Sequence, residues 1–164
     1  VSVPLEIERK FLLAAAPDWS HPVLRDARVI HYEQVYLRVT ATEEVRIRRG
    51  TDEEGTRYHL ARLYRLQDGM RTVEEEEISA DEYARLRERR DPARQIIVKD
   101  RRCFRWGGLL FELDAIHRPV SRACHLLEVE IDDLDQHVEF PDFLQIDREV
   151  TAEPEFANAG IALG

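Results

Sequence analysis

The residues with the plainest chemical potential stand near the start of the chain, in Glu6-Ile7-Glu8-Arg9-Lys10 between Leu5 and Phe11. Written as a β-strand, alternate side chains fall on opposite faces. Glu6, Glu8 and Lys10 then share one face, and Leu5, Ile7, Arg9 and Phe11 the other. The charged row spaces its groups about 7 Å apart, two strand rises. Two carboxylates and an ammonium at that spacing suit a divalent cation held by hard oxygen ligands beside an anionic group such as a phosphate. An amphipathic edge strand with a solvated face presents the same row. Repetition on later strands is what gives it weight.

Between Glu44 and Arg48, Val45 and Ile47 share a face, with Glu44, Arg46 and Arg48 opposite. Two guanidiniums at i, i+2 form a fork matched to phosphate oxygens. Lys99 and Arg101 make a similar pair on the stretch Ile96 to Trp106. From Leu109 to Ile116, Leu109, Phe111 and Leu113 face one way and Glu112 and Asp114 the other. From Leu126 to Ile131, Leu127, Val129 and Ile131 oppose Glu128 and Glu130. The stretch from Arg71 to Ile78 puts Arg71, Val73, Glu75 and Glu77 on one face and Thr72, Glu74, Glu76 and Ile78 on the other. Four consecutive glutamates read as a solvated run, and periodicity alone does not choose the inward face there.

These rows need a scaffold of strands. Ile30 to Leu37 is β-rich, with Tyr32, Gln34 and Tyr36 on one face, and Tyr58 to Leu66 is a strand that Asp68-Gly69 turns back in a hairpin. Gly107-Gly108 makes a second such turn. Ser79 and Glu82 form a capping box that starts a helix running to about Arg90, with Tyr83 and Leu86 as its apolar stripe. Ala14 to Pro22 reads as a linker or short turn around Trp19, and a short helix is expected from about Phe156 to Ala162. The sum is about eight strands, mostly hairpin-joined, with one well-marked helix. Opposed charges at matched spacing on so many strands predict a mainly β fold: an eight-stranded antiparallel barrel, closed around a polar charged lumen and covered by helices. Closure also removes the exposed edges of an open sheet. Inside it, carboxylates need metal or basic partners to offset desolvation.

Composition sets the bounds. The 164 residues suit a single domain, 1–164, and 35% are charged. A net charge of −9 argues against affinity for a nucleic-acid duplex, while leaving room for a local basic pocket. Cys103 and Cys124 lack CxxC spacing and read as reduced thiols of a cytoplasmic protein. The six histidines are scattered, without a zinc motif. No apolar run is long enough to span a bilayer. The chain begins at Val1 rather than Met and so reads as trimmed or as part of something longer.

Taken together, these segments resemble the CYTH domains, also called triphosphate tunnel metalloenzymes. Glu6 to Lys10 is similar to the ExExK signature, Gln34-Val35-Tyr36-Leu37 to QxYL, and Arg46-Ile47-Arg48 to RxR. Arg71 with Glu75, Glu77 and Ile78 resembles the acidic strand, Lys99-Asp100-Arg101 resembles KxR, and Phe111 to Asp114 the stretch that follows. Leu127 to Glu130 resembles the late ExE strand; Glu149-Val150-Thr151 and Asn158 resemble the C-terminal element. The resemblance covers almost the whole chain.

It implies an eight-stranded tunnel that binds a small-molecule triphosphate or polyphosphate with Mg²⁺ or Mn²⁺. Glu6, Glu8, Glu128 and Glu130 become the metal ligands, with Glu6, Glu8 and Lys10 the catalytic group. Lys10, Arg46, Arg48, Lys99 and Arg101 become the phosphate grip, with Arg71 an added contact. Glu75, Glu77, Glu112 and Asp114 complete the acidic part. The activity implied is metal-dependent hydrolysis of a terminal phosphoanhydride. Adenylyl cyclisation is the rival chemistry, and a non-catalytic nucleotide- or polyphosphate-binding module the rival of another class. Two positions depart from the pattern: Leu63 stands where the family carries a lysine, and Val73 where it carries a first glutamate. Losing both removes an ion pair together. Arg62 would need a bulge to face inward in place of Leu63.

Overall fold

The structure, a computed structural model, describes residues 4–164; the first three residues of the expected 1–164 domain lie outside it. Eight antiparallel strands form the ring: β1 (Leu5–Leu13), β2 (Arg28–Val39), β3 (Glu43–Asp52), β4 (Gly55–Gln67), β5 (Met70–Ile78), β6 (Ile97–Trp106), β7 (Leu109–Arg118) and β8 (Cys124–Glu130). Their order is β5-β4-β3-β2-β6-β7-β8-β1, and pairing of β5 with β1 closes the barrel. That last seam is short, from Leu5↔Thr72 to Ile7↔Met70. Beyond it the same edge of β1 is taken by a further strand, β9 (Ile146–Glu149), additional to the eight expected.

Hairpin chemistry fixes the ring locally. Gly107 and Gly108 both have positive φ, the backbone of a type I′ turn, so β6 returns directly into β7. Ser79 caps α2 (Ala80–Arg87) by accepting from the Glu82 amide. The helix ends at Arg87, short of the expected Arg90, after two turns whose Tyr83 and Leu86 pack on the barrel. Two shorter helices, α1 (Pro22–Arg25) and α3 (Asn158–Ile161), complete the cover. No helix among the described residues is long and apolar enough to cross a membrane.

Most of the apolar core lies outside the barrel wall. Phe11, Leu113, Leu127 and Val129 point outward from β1, β7 and β8 and pack with Leu24, Val138 and Leu144. Around the other side, Val35 and Ile47 lie beneath Tyr83 of α2. This arrangement turns the charged rows of β1, β3, β6, β7 and β8 inward, as the alternation predicts. The lumen is not charged throughout, however. At one end Tyr36, Ile97, Ile116 and Leu126 pack against Val150, Ala159 and Ile161, so the C-terminal segment caps that end with carbon. A second apolar patch, Ala61, Leu63 and Val73, lies on the β4–β5 wall.

Candidate functional site

Register carries the predicted residues onto one inner surface. In β1 and β8, Glu8 stands opposite Glu130 and Lys10 opposite Glu128. Arg101 is opposite Asp114 across β6 and β7, and Glu112 opposite Glu128 across β7 and β8. Tyr32 faces Lys99, Gln34 faces Arg48, and Tyr36 faces Arg46. Glu6 meets Arg71 at the β1–β5 seam. Cross-strand partners share a face, so the whole set looks into the lumen. Within the glutamate run, Glu75 and Glu77 belong to the inward set, opposite Ala61 and His59.

The ion pairs run deep. Asp114 accepts from Lys99 Nζ at 2.7 Å and from Arg101 Nε and Nη2 at 2.7 and 2.8 Å. Arg101 also reaches Glu112, and Glu128 at 3.3 Å. Lys10 pairs with Glu128 at 3.1 Å and donates to the Phe156 carbonyl at 3.3 Å. Arg71 lies 3.0 Å from Glu6 and 3.6 Å from Glu8, and Arg48 holds Glu75 at 2.9 Å. Glu77 is exposed and joins no ion pair among the described residues.

Burial and pairing pull these groups apart in acidity. Burial pushes the Glu8 carboxyl upward and the nearby Glu128 charge adds to it, against Arg71 and Lys10. Glu112 is likewise raised, chiefly by burial. Burial works the same way on Glu128, but Lys10 and Arg101 outweigh it and hold that carboxyl well below its usual range. Lys99 is drawn down to about 8 by burial, even beside Asp114, because Arg101 shares the carboxylate and repels the ammonium.

Arg46 is the exception to the pairing. Its side chain is buried, no carboxylate pairs with it among the described residues, and its Nε has no hydrogen-bond partner. Burial and the neighbouring Arg48 both weaken its hold on a proton. A buried guanidinium in no ion pair is able to accept an anion.

Solved structures share this architecture. The inorganic triphosphatase NE1496 is 28% identical over 97% of this chain and 95% of that one, with a TM-score of 0.64. The PH1819 protein from Pyrococcus horikoshii OT3 is 21% identical over 84% and 80%, with a TM-score of 0.58. HpAC1 from Hippeastrum, described as having a dominant triphosphatase activity, is 19% identical over 78% and 80%, with a TM-score of 0.56. The chain is thus similar in fold to CYTH-type tunnel proteins, whose eight-stranded barrel it shares. No protein-family model and no curated protein sequence matches it.

Within the barrel, the two departures turn out to be one feature. Leu63 and Val73 are cross-strand partners, buried against each other and Ala61. A cation and a carboxylate are thus replaced by a carbon pair at a single point of the wall. Arg62 does not substitute: it is exposed, in regular register opposite Glu74, and the irregularity in these strands falls later, between Arg65 and Gln67.

Sequence reasoning overlooked residues that organise the cations. Tyr32 presents its ring to Arg48, Arg101 and Lys99, with centroid distances of 4.9, 5.8 and 5.9 Å. It spaces three positive groups that would otherwise repel. Its place beside Gln34 and Tyr36 on one face was the available signal. Thr151 accepts from the Lys10 amide at 2.9 Å, anchoring the C-terminal segment to the middle of β1. Cys103 and Cys124 are free and half-buried.

Proposed function

We propose that this protein is a triphosphatase that hydrolyses the terminal phosphoanhydride of a triphosphate held in the barrel. The observation that carries the reading is Arg46, a buried cation in no ion pair among the described residues, next to Arg48 on the inner surface that Lys10, Lys99 and Arg101 also line. Phosphate oxygens supply the missing partner. The named activities of NE1496 and HpAC1 point the same way.

A metal ion, Mg²⁺ or Mn²⁺, belongs to this proposal. The donor chemistry fits: Glu8 and Glu128 are close enough to raise the Glu8 carboxyl, a like-charge strain that a divalent cation relieves. Among the described residues no three such donors already surround one point; Glu6 and Glu8 lean on Arg71, and Glu128 on Lys10 and Arg101. Glu6, Glu8, Glu128 and Glu130 would hold the ion. When bound it would polarise phosphate oxygens and lower the pKa of water.

The chain's own groups do the positioning. Arg46, Arg48, Lys99 and Arg101 neutralise the phosphates and hold them extended. Lys10 and Arg71 sit between the cations and the carboxylates, each already sharing its charge with a glutamate. Water attacks the terminal phosphorus in line, the bond to the bridging oxygen breaks, and orthophosphate and a diphosphate leave with release of a proton. Fixed charges that need no rearrangement are the main catalytic resource.

The test is phosphate release from tripolyphosphate and organic triphosphates with Mg²⁺ or Mn²⁺, against an EDTA blank. Glu6→Ala/Glu8→Ala should lower turnover about 100-fold or more, beyond what the loss of stability from unpairing Arg71 explains. Full metal-dependent activity in that double variant would remove these carboxylates from the mechanism. The Leu63–Val73 pair favours one alternative, a tunnel that binds triphosphate without turning it over. Tight binding with no phosphate release and no cyclic product would establish it.

A further inference from the structure

Gln34 lies wholly buried on the inner face of β2, between Tyr32 and Tyr36, an uncharged side chain among charged ones. Its Nε2 donates to the Tyr36 hydroxyl at 2.8 Å, while its Oε1 is buried with no hydrogen-bond partner. The Tyr36 hydroxyl, in turn, donates to nothing among the described residues. One bond thus leaves an acceptor and a donor idle side by side, an arrangement that burial makes costly.

A half-turn of the amide about its last bond exchanges oxygen and nitrogen without changing its shape, and the bonding network decides between the two settings. With the oxygen toward Tyr36, the phenol donates to Oε1 and both idle groups are satisfied. Burial and Glu44 push the Tyr36 pKa up to about 12, against Arg46, so the phenol keeps a hydrogen to give. What then faces the lumen is the Gln34 NH2 group, and its neighbours lack the same thing it does. Arg48 is the cross-strand partner of Gln34, and Arg46 that of Tyr36, with about 5 Å between the Cβ atoms of such partners. The Nε atoms of both arginines are buried without acceptors. Acids on this wall do not fill the gap: Glu75 takes Arg48 Nη2 at 2.9 Å, and Glu44 joins no ion pair among the described residues.

We infer that Gln34 is a further phosphate-binding residue of the tunnel: Tyr36 fixes its carbonyl oxygen, and its amide nitrogen donates to a phosphate group shared with Arg46 and Arg48. The inference rests on the triphosphate reading of the charged lumen. Donors on two adjacent strands lack acceptors, and the several oxygens of one phosphate supply them. Being neutral, the amide adds a directed bond without adding to the repulsion between the two guanidiniums. Tyr36, which holds Gln34 and does not itself reach the phosphate, is a positioning residue on this account.

The experiment is calorimetric titration with inorganic tripolyphosphate, in EDTA and again with Mg²⁺. Gln34→Met should bind about tenfold more weakly or worse, the scale of one hydrogen bond to a charged group. Gln34→Glu keeps the shape and an acceptor for Tyr36 but sets a carboxylate against the phosphate, and should bind more weakly still. Tyr36→Phe should weaken binding severalfold by itself and not at all in the Gln34→Met background, the pattern of one residue acting through another. Additive losses would overturn that positioning role. Nitrogen-edited NMR spectra of the unaltered protein read the same contact if the variants fail to fold: the Gln34 NH2 signals should move downfield as tripolyphosphate is added. Gln34→Met or Gln34→Glu binding as tightly as the unaltered protein, or NH2 signals that stay in place, overturns the inference and leaves the triphosphate reading standing. An unaltered protein that takes up no tripolyphosphate under either condition overturns that reading and this inference with it.

Discussion

Arg46 is the residue on which the proposed triphosphate binding can be tested most directly. A buried ion pair often contributes little to stability, but a buried charge with no partner is a net cost. Replacing Arg46 with Met, similar in length and apolar, should therefore raise the stability of the ligand-free protein, by about 1–4 kcal/mol. The same change should weaken triphosphate binding at least tenfold, since a charge-assisted contact is lost. Thermal unfolding with and without tripolyphosphate reads both effects; a variant that is destabilised and still binds normally would show Arg46 to be structural. Lys99 gives a pH dependence of known sign. Its proton is lost at about 8 in the folded protein against 10.5 ordinarily, so between those values the folded state holds fewer protons than the unfolded chain. Raising pH through that window stabilises the fold through this group, and the cost of burying the ammonium is present in full below about 8. On the proposed function binding runs the other way, because only the protonated form would grip phosphate. Affinity for tripolyphosphate should fall roughly tenfold between pH 7 and pH 9 as that proton leaves, and Lys99→Met should flatten the profile.

At the scale of elements, period-two alternation placed nearly every charged side chain correctly. It succeeded because each strand has one face packed beneath helices or loops and the other lining a tunnel. It was silent for Glu74 to Glu77, where both faces carry glutamate; the cross-strand partners Ala61 and His59 decide that Glu75 and Glu77 point inward. The helix α2 was legible from its cap alone, and its role separates cleanly from the site. Ser79→Ala should lower stability by about 1 kcal/mol through the loss of the bond to the Glu82 amide. Triphosphate turnover by that variant should be unchanged, since α2 packs on the outer face at Val35 and Ile47. A fall in kcat without a fall in melting temperature would contradict that separation.

For the molecule as a whole, the critical joint is the short β1–β5 seam. Gly69 adopts φ +79° in the β4–β5 turn and its carbonyl accepts from the Glu8 amide at 2.9 Å. A side chain there would meet the Glu8 carbonyl oxygen at 2.8 Å and a Leu134 methyl at 2.7 Å. Backbone conformation and contact both forbid it. Gly69→Ala should cost about 1–3 kcal/mol and, by shifting Glu8, reduce turnover beyond what stability explains. Normal kcat at a temperature where the variant remains folded would show that the seam does not position Glu8.

The sequence alone determined that this is a mainly β chain with charged inward rows, and which residues compose those rows, because alternation and turn chemistry are local properties. It also located Leu63 and Val73 as departures. Tertiary structure alone decided that these two are partners, since they are ten residues apart and meet only through strand register. Register likewise left Arg46 in no ion pair among the described residues and put Tyr32 among three cations. Pairing across strands depends on where a barrel closes, and closure is a property of the whole ring rather than of any segment.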